Sequence, residues 1–106
     1  MADAESLMAG MRTRADALRR LGYRVRFDLT DTEESIMLDA TGGGTPSIEA
    51  AGGEEEADTV LRLSSADLEK LMRGKLSPML AFSTGRLKVD GSKGVAMKLA
   101  GLLDED

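Results

Sequence analysis

The stretch that decides the fold is GYRVRFDL, residues 22–29. Apolar and charged positions alternate along it: Tyr23, Val25, Phe27 and Leu29 are separated by Arg24, Arg26 and Asp28. Alternation with a period of two is typical of a strand with one buried face. Gly22 accepts the left-handed backbone conformation in which many helices end. We therefore predict that a helix ends at Gly22 and that a strand begins directly after it.

The segments on either side of this stretch predict the remaining elements. Residues 3–21 carry apolar side chains at helical spacing (Leu7, Met8, Met11, Ala15 and Leu18), which predicts one amphipathic helix. Further strands are predicted at 36–38, 47–51, 59–63 and 87–89, separated by Gly-rich or acidic turns. Helices are predicted from Ser65 to Gly74, over 78–83 and over 95–103.

This order of elements predicts an α+β fold, in which helices pack on a mainly antiparallel sheet. The chain has 106 residues and shows neither an internal repeat nor a linker. We therefore expect residues 1–106 to form a single domain.

The charge balance argues against nucleic acid as a partner. Acidic residues outnumber basic ones 19 to 14, whereas a phosphate backbone requires clustered Lys and Arg. The arginines nearest to such a cluster lie close to the N-terminus: Arg12, Arg14, Arg19, Arg20, Arg24 and Arg26. They form either a solvated face or a docking surface for anionic lipid headgroups.

The chemistry of an enzyme is mostly missing. The chain has no His and no Cys, so the commonest general base, metal ligands and thiol nucleophile are absent. No G-x-S-x-G elbow occurs, and Gly42–Gly44 lacks the Gly-Lys-Ser/Thr ending of a phosphate-binding loop. A lysine nucleophile stays open, but we predict no enzyme, no cofactor and no metal site.

The sequence also bears on location. No apolar run approaches the ~20 residues that span a bilayer. The first residues are acidic and lack the basic-then-apolar order of a signal peptide. We therefore expect a cytoplasmic protein.

Methionine is abundant for so short a chain, with seven residues. Met72, Met79 and Met97 fall in three consecutive predicted helices. Methionine fills irregular space and re-packs around varied partners. This placement favours either an ordinary core or a cavity for an apolar ligand.

Several motifs between Asp58 and Leu99 occur in a fixed order. They are Gly74-Lys75-Leu76-Ser77-Pro78, then Ala81-Phe82, then Gly85-Arg86-Leu87-Lys88-Val89-Asp90-Gly91, and finally Lys98-Leu99. In order and spacing this segment resembles the sterol-carrier-protein-2 (SCP2) sterol-binding family. The resemblance implies a five-stranded sheet covered on one face by helices. Between sheet and helices it implies an apolar tunnel that accepts fatty acids, acyl-CoAs, sterols or phospholipids.

The resemblance also implies which residues line the tunnel: Met72, Met79, Phe82, Met97, Leu102 and Leu103, to which we add Val25 and Phe27 of the first strand. Arg24 and Arg26 either meet an acidic headgroup at the tunnel mouth or are simply exposed to solvent. The chain ends in Leu-Leu-Asp-Glu-Asp, without the Ser-Lys-Leu type of peroxisomal tag found on some relatives.

Three functions follow from this combination. The first is a non-catalytic carrier that binds and transfers a lipid and contacts membranes transiently. The second is an accessory module that presents an isoprenoid or quinone precursor to a biosynthetic enzyme. In the third, the cavity is collapsed and only protein contacts are left.

Overall fold

The computed structural model describes residues 3–103, which form five helices and five strands. In chain order they are α1 (Ala4–Arg12), α2 (Ala15–Leu18), β1 (Arg24–Leu29), β2 (Ser35–Asp39), β3 (Ser47–Ala51), β4 (Thr59–Leu63), α3 (Ser65–Met72), α4 (Pro78–Ser83), β5 (Lys88–Gly91) and α5 (Lys93–Leu103). The start of the predicted domain, Met1 and Ala2, and the acidic end, 104–106, lie outside the described residues.

The prediction of one continuous helix over residues 3–21 is wrong. Helix α1 ends at Arg12, and the backbone of Arg14 (φ −108°, ψ 18°) leaves the helical region before α2 begins. The guanidinium of Arg14 donates hydrogen bonds to the carbonyls of Gly10 and Met72, each at 3.0 Å. These bonds satisfy a free carbonyl near the end of α1 and tie that end to α3.

The five strands form one sheet in the order β3-β2-β1-β4-β5. Three neighbouring pairs are antiparallel, and only β1 and β4 pair in parallel, with Val25 opposite Thr59. The mainly antiparallel, five-stranded α+β fold is therefore confirmed. Strand β1 lies at the centre of the sheet, so its alternating pattern affects both faces.

One face of the sheet is apolar and is covered by the helices. The register places Val25, Phe27 and Leu29 of β1 on this face, beside Ile36, Leu38, Leu61 and Leu63, and all seven side chains are buried. Helix α1 packs against β2 and β3, and α5 packs against β4 and β5. Helices α2, α3 and α4 in turn contact α5, which makes α5 the centre of the helical layer.

The opposite face carries charged side chains instead of helices. Asp28 accepts hydrogen bonds from Arg26 at 2.9 and 3.1 Å and from the Ser35 hydroxyl at 2.8 Å. Arg26 also donates to the Glu55 carbonyl at 2.7 Å, because the connection from β3 to β4 passes over this face. As a result, only 8% of Arg26 is exposed.

These contacts set the ionisation of Asp28. Burial raises the pKa of this carboxyl, but hydrogen bonds from Arg26 and Ser35 and the charges of Arg26 and Arg62 outweigh burial. The pKa therefore lies below its ordinary value of 3.8. A carboxyl with a lowered pKa stabilises the fold above its unfolded-state pKa, and this contribution is lost as the pH falls through the folded-state pKa.

We expect Asp28→Asn to lower the free energy of unfolding by about 2–4 kcal/mol at neutral pH, because it leaves the buried Arg26 guanidinium without its counter-charge. At acidic pH, once the pH has fallen through the lowered pKa of Asp28 and the wild-type carboxyl is protonated too, the difference should shrink. Urea denaturation at both pH values measures the effect. Asp90→Asn is the control, since its exposed pair with Arg62 (3.9 Å) should contribute about 1 kcal/mol or less. Equal losses in the two variants would contradict this account.

Candidate functional site

Helix α5 is positioned by a glycine that no other residue can replace without strain. Gly91 has φ of 115°, and a Cβ atom added there would lie 2.8 Å from the Asp58 carbonyl oxygen. The backbone N–H of Ser92 then donates to Thr59 Oγ1 (3.2 Å), and the Ser92 hydroxyl accepts from the N–H of Val95 (3.2 Å). Strand β5 can therefore turn sharply into α5 and direct that helix across the apolar face of the sheet.

Helix α4 lies against α5 and has an unusual surface. Its first turn is fixed by Pro78 and by Ser77, whose hydroxyl accepts from the N–H of Leu80. The helix has no charged residue, yet its Met79 is 74% exposed and its Leu80 54% exposed. Tyr23 is the only other exposed large hydrophobic residue in the part of the chain that the structure describes. The apolar outer surface of α4 is therefore local and specific.

The contact between α4 and α5, here called the α4–α5 seam, is marked by Phe82 of α4 and Lys93 of α5. The Lys93 ammonium lies 5.1 Å from the centre of the half-buried Phe82 ring, a cation–π distance. Met97 and Gly101 follow Lys93 at intervals of four residues and so share its side of α5. Met97 is half-buried, and Gly101 is exposed.

An open cleft of about 360 Å³ lies at the far end of this seam. It is lined by Leu71 of α3, Leu76 and Pro78 at the start of α4, and Ala100 and Gly101 of α5. No atom of the described residues 3–103 lies within 4 Å of the position that a Cβ atom would take at Gly101. The absence of a side chain at this glycine therefore keeps the cleft open.

Two other clefts differ in character. One of about 280 Å³ lies between α1 and α3 and is lined by Met72 and Arg14. Another, of about 590 Å³, has acidic residues in its wall, including Glu33 and Glu34. All three clefts are open to solvent.

These clefts are open to solvent, so the enclosed tunnel that the resemblance implies stays a prediction. The space between sheet and helices is filled, with Val25, Phe27 and Leu99 all 0% exposed. Close packing of aliphatic side chains is favoured because an empty apolar cavity costs on the order of 24 cal/mol per Å³. Any ligand that enters this layer must displace side chains.

The predicted site residues fall into separate groups. Met79, Phe82 and Met97 lie on the two helices of the seam, whereas Val25, Phe27, Leu102 and Leu103 are buried in the adjoining core. Met72 is buried at the α1–α3 contact, where its Cε lies 2.7 Å from the position of a Cβ atom at Gly10. None of these placements by itself tests a role in binding, so the lining residues remain predictions.

Arg24 and Arg26 lie on the sheet face opposite to the helices. Arg26 is held by Asp28 and Glu55, and the Arg24 Nε lies 3.4 Å from Asp39. Their side chains point away from the apolar layer, so this arrangement gives no support to a headgroup contact at its mouth.

Three features of the seam were not predicted from the sequence: the exposure of Leu80, the open position of Gly101 and the contact of Lys93 with Phe82. The sequence contains a weak signal for the first two. For Leu80 it is the lack of charged residues in the predicted helix over 78–83, and for Gly101 it is a small residue one turn after Met97. The Lys93 contact depends on the packing of α4 against α5 and leaves no sequence signal.

Asp31 has a structural role in the described chain. Hydrogen bonds from the hydroxyl and the backbone N–H of Ser65 lower the pKa of Asp31, which links the β1–β2 turn to the start of α3. No group of three or more His, Cys, Asp or Glu side chains in residues 3–103 is arranged to hold a metal ion. No helix in this range is long and apolar enough to cross a membrane.

Comparison with known proteins agrees with this architecture. The SCP-2 sterol transfer family matches residues 4–104. Sterol carrier protein 2 of Gallus gallus is 42% identical over 53 residues, which is 50% of this chain but 10% of the chicken protein. The chain thus spans only a small part of this relative.

Two solved structures share the fold. Sterol carrier protein 2 of Yarrowia lipolytica superimposes with a TM-score of 0.71 and 23% identity, covering 94% of this chain and 85% of its own. The UbiJ-SCP2 ubiquinone synthesis protein has a TM-score of 0.63 and 22% identity, covering 89% of this chain and 74% of its own. The fold is that of a sterol-carrier domain. By the match over nearly its whole length, the chain belongs to the SCP-2 sterol transfer family.

Alanine substitutions at Gly101 in α5 and at Gly91 in the turn before it should change the free energy of unfolding in opposite directions. We expect Gly101→Ala to raise the free energy of unfolding by about 0.5–1 kcal/mol, since alanine favours helix and the position is open. Gly91→Ala should lower it by about 1–3 kcal/mol because of backbone strain and the contact with Asp58. Urea denaturation of both variants measures the pair. A stabilising effect of Gly91→Ala would contradict the positive φ angle of residue 91 in the turn that leads into α5.

Proposed function

We propose that the protein binds a lipid-like hydrophobic molecule without chemical change and transfers it. A fatty acid, acyl-CoA, sterol or phospholipid fits the apolar side chains available. We place its entry at the α4–α5 seam, with its apolar part reaching toward the core beneath. Membership of the SCP-2 sterol transfer family supports this function.

The observation that carries the proposal is the state of α4. A six-residue helix without charge presents Met79 and Leu80 to solvent and buries only Ala81. It contacts α5, and its first residue, Pro78, lines the open cleft at the end of the seam. An element with so few buried side chains is cheaper to displace than the sheet or α5.

Simple energetics support reversible binding. Burying an acyl chain of about 15 methylenes gains roughly 12 kcal/mol. Association and ordering cost about 4–15 kcal/mol, and only the surplus appears as affinity. At the low end of that cost the surplus is about 8 kcal/mol, which corresponds to a micromolar dissociation constant and would permit both loading and release.

We propose no catalytic role. The described titratable groups with lowered pKa (Asp3, Asp28, Asp31 and Asp39) are held by structural hydrogen bonds. None of them lines the 360 Å³ cleft at the seam. Ligand binding there accordingly needs no acid, base or nucleophile.

A second candidate is an accessory module that presents a quinone or isoprenoid precursor to a biosynthetic enzyme. The fold shared with the UbiJ-SCP2 ubiquinone synthesis protein favours it. A prenylated ring would use the same seam, so the two candidates differ in ligand and partner rather than in site.

The purified protein should carry a lipid from its expression host. Organic extraction followed by mass spectrometry should detect fatty acids or phospholipids at a substantial fraction of the protein concentration. Prenylated rings would favour the accessory module instead. An extract no richer than that of an unrelated small protein purified in parallel would point to protein contacts alone.

Substitutions at the seam should weaken ligand binding without unfolding the protein. We expect Gly101→Phe to fill the cleft and Met97→Trp to fill the space beside it, each lowering fatty-acid affinity about tenfold or more, a loss of about 1.4 kcal/mol. Fluorescence titration measures the affinity, and circular dichroism verifies folding. Gly101→Ala is the matched control, since it adds a single methyl group in open space and should change affinity by less than about twofold. Wild-type affinity in both large variants would remove the seam from the site.

A further inference from the structure

The exposed apolar surface of α4 lies in a locally basic part of an acidic protein. The whole chain has a net charge of −5, but residues 70–89 contain no Asp or Glu. Their basic residues are Lys70, Arg73, Lys75 and Arg86, together with Lys88, which lies on the charged face of the sheet, away from α4. The segment around α4 therefore has the opposite charge to the protein as a whole.

Neighbouring acids neutralise only part of this charge. Arg73 pairs with Glu69 at 3.7 Å, and Arg86 pairs with Asp67 at 3.9 Å. By contrast, no acidic side chain of residues 3–103 lies within 4.0 Å of the ammonium groups of Lys75 and Lys93. Two lysines that pair with no acid of the described residues thus lie close to α4.

These two lysines lie at opposite ends of the helix. Lys75 lines the same cleft as Pro78, at the start of α4. Lys93 lies over Phe82, near the end of α4. Between them, Met79 and Leu80 are exposed to solvent. An exposed apolar surface with a lysine at each end favours binding to an anionic bilayer. The apolar side chains insert into the bilayer, and the lysines contact lipid phosphates.

We propose that α4, with Lys75 and Lys93, is the surface by which the protein docks on anionic membranes. This goes beyond ligand binding because it names the partner surface and the orientation. The seam then faces the bilayer, so a lipid can pass between membrane and protein without crossing water. Of the N-terminal arginines, Arg12 and Arg14 are less suited, since they donate to the carbonyls of Ile48 and Met72.

Vesicle co-sedimentation tests this surface. Wild-type protein should bind phosphatidylcholine–phosphatidylserine vesicles and should bind pure phosphatidylcholine vesicles much more weakly. Raising NaCl from about 0.1 M to about 1 M, which shortens the Debye length from about 10 Å to about 3 Å, should release the protein. Binding that is equal for both vesicle types would overturn the proposal.

Paired variants locate the surface. Lys75→Gln with Lys93→Gln should weaken binding to the anionic vesicles about 30-fold, and Met79→Ser with Leu80→Ser by about tenfold or more. The matched control is Arg19→Gln with Lys88→Gln, which changes the net charge equally. Lys88 pairs in register with Arg62 on the charged face of the sheet, away from α4. An equal loss in the control would show that net charge alone is responsible, and unchanged binding in the α4 variants would refute the surface.

Two further measurements distinguish membrane docking from self-association and from ligand binding. If gel filtration shows a dimer that the Met79→Ser/Leu80→Ser variant abolishes, and vesicles are not bound, then a second copy covers α4 and the proposal is wrong. Vesicle binding is measured by sedimentation, and ligand content is measured by extraction. The two results are independent, so either membrane docking or ligand binding can be refuted while the other holds.

Discussion

The alternation of apolar and charged side chains along β1, at the centre of the sheet, governs the rest of the structure. Val25, Phe27 and Leu29 must be removed from water, whereas Arg26 and Asp28 on the other face need polar partners. The helices can therefore pack on one face only, and the β3–β4 connection closes over the other, where the Glu55 carbonyl accepts from Arg26. Any apolar ligand site must lie on the helical side, because the opposite face is occupied by an ion-pair network.

The helices of this layer differ in how many side chains they bury, and the proposed function depends on that difference. Helix α5 is fixed by the turn at Gly91 and buries most of one side against β4 and β5. Helix α4 buries one residue, Ala81, and displays two large apolar side chains. An α4 that is easily displaced from a firmly held α5 allows a filled core to admit a ligand without loss of the fold. The same exposed side chains suit contact with a membrane, so loading and docking would share one element.

Much of the fold could be predicted from sequence, because it depends on local patterns. The strand that follows Gly22 and the helix that begins at residue 78 are boundaries that the structure confirms. The break after Arg12 could not be predicted, because it depends on Arg14 reaching the carbonyl of Met72, 58 positions away in sequence. The family motifs pointed to the C-terminal third, but the separation of Met72 from Phe82 and Met97 is a property of helix packing. The network around Arg26 is likewise set by the strand register and by the path of the β3–β4 connection.

The most direct test of a ligand entering at the α4–α5 seam is hydrogen exchange with and without a bound fatty acid. We expect slower exchange of the backbone amides of α4 after Pro78, which has no N–H, and of Lys93–Leu103 when ligand is present, because binding would suppress the local opening of α4. The amides of β2 and β3, which lie toward the opposite edge of the sheet from the strands that α5 contacts, should change little. Protection confined to β2 and β3, or no change at α4 under saturating ligand, would contradict entry at the seam.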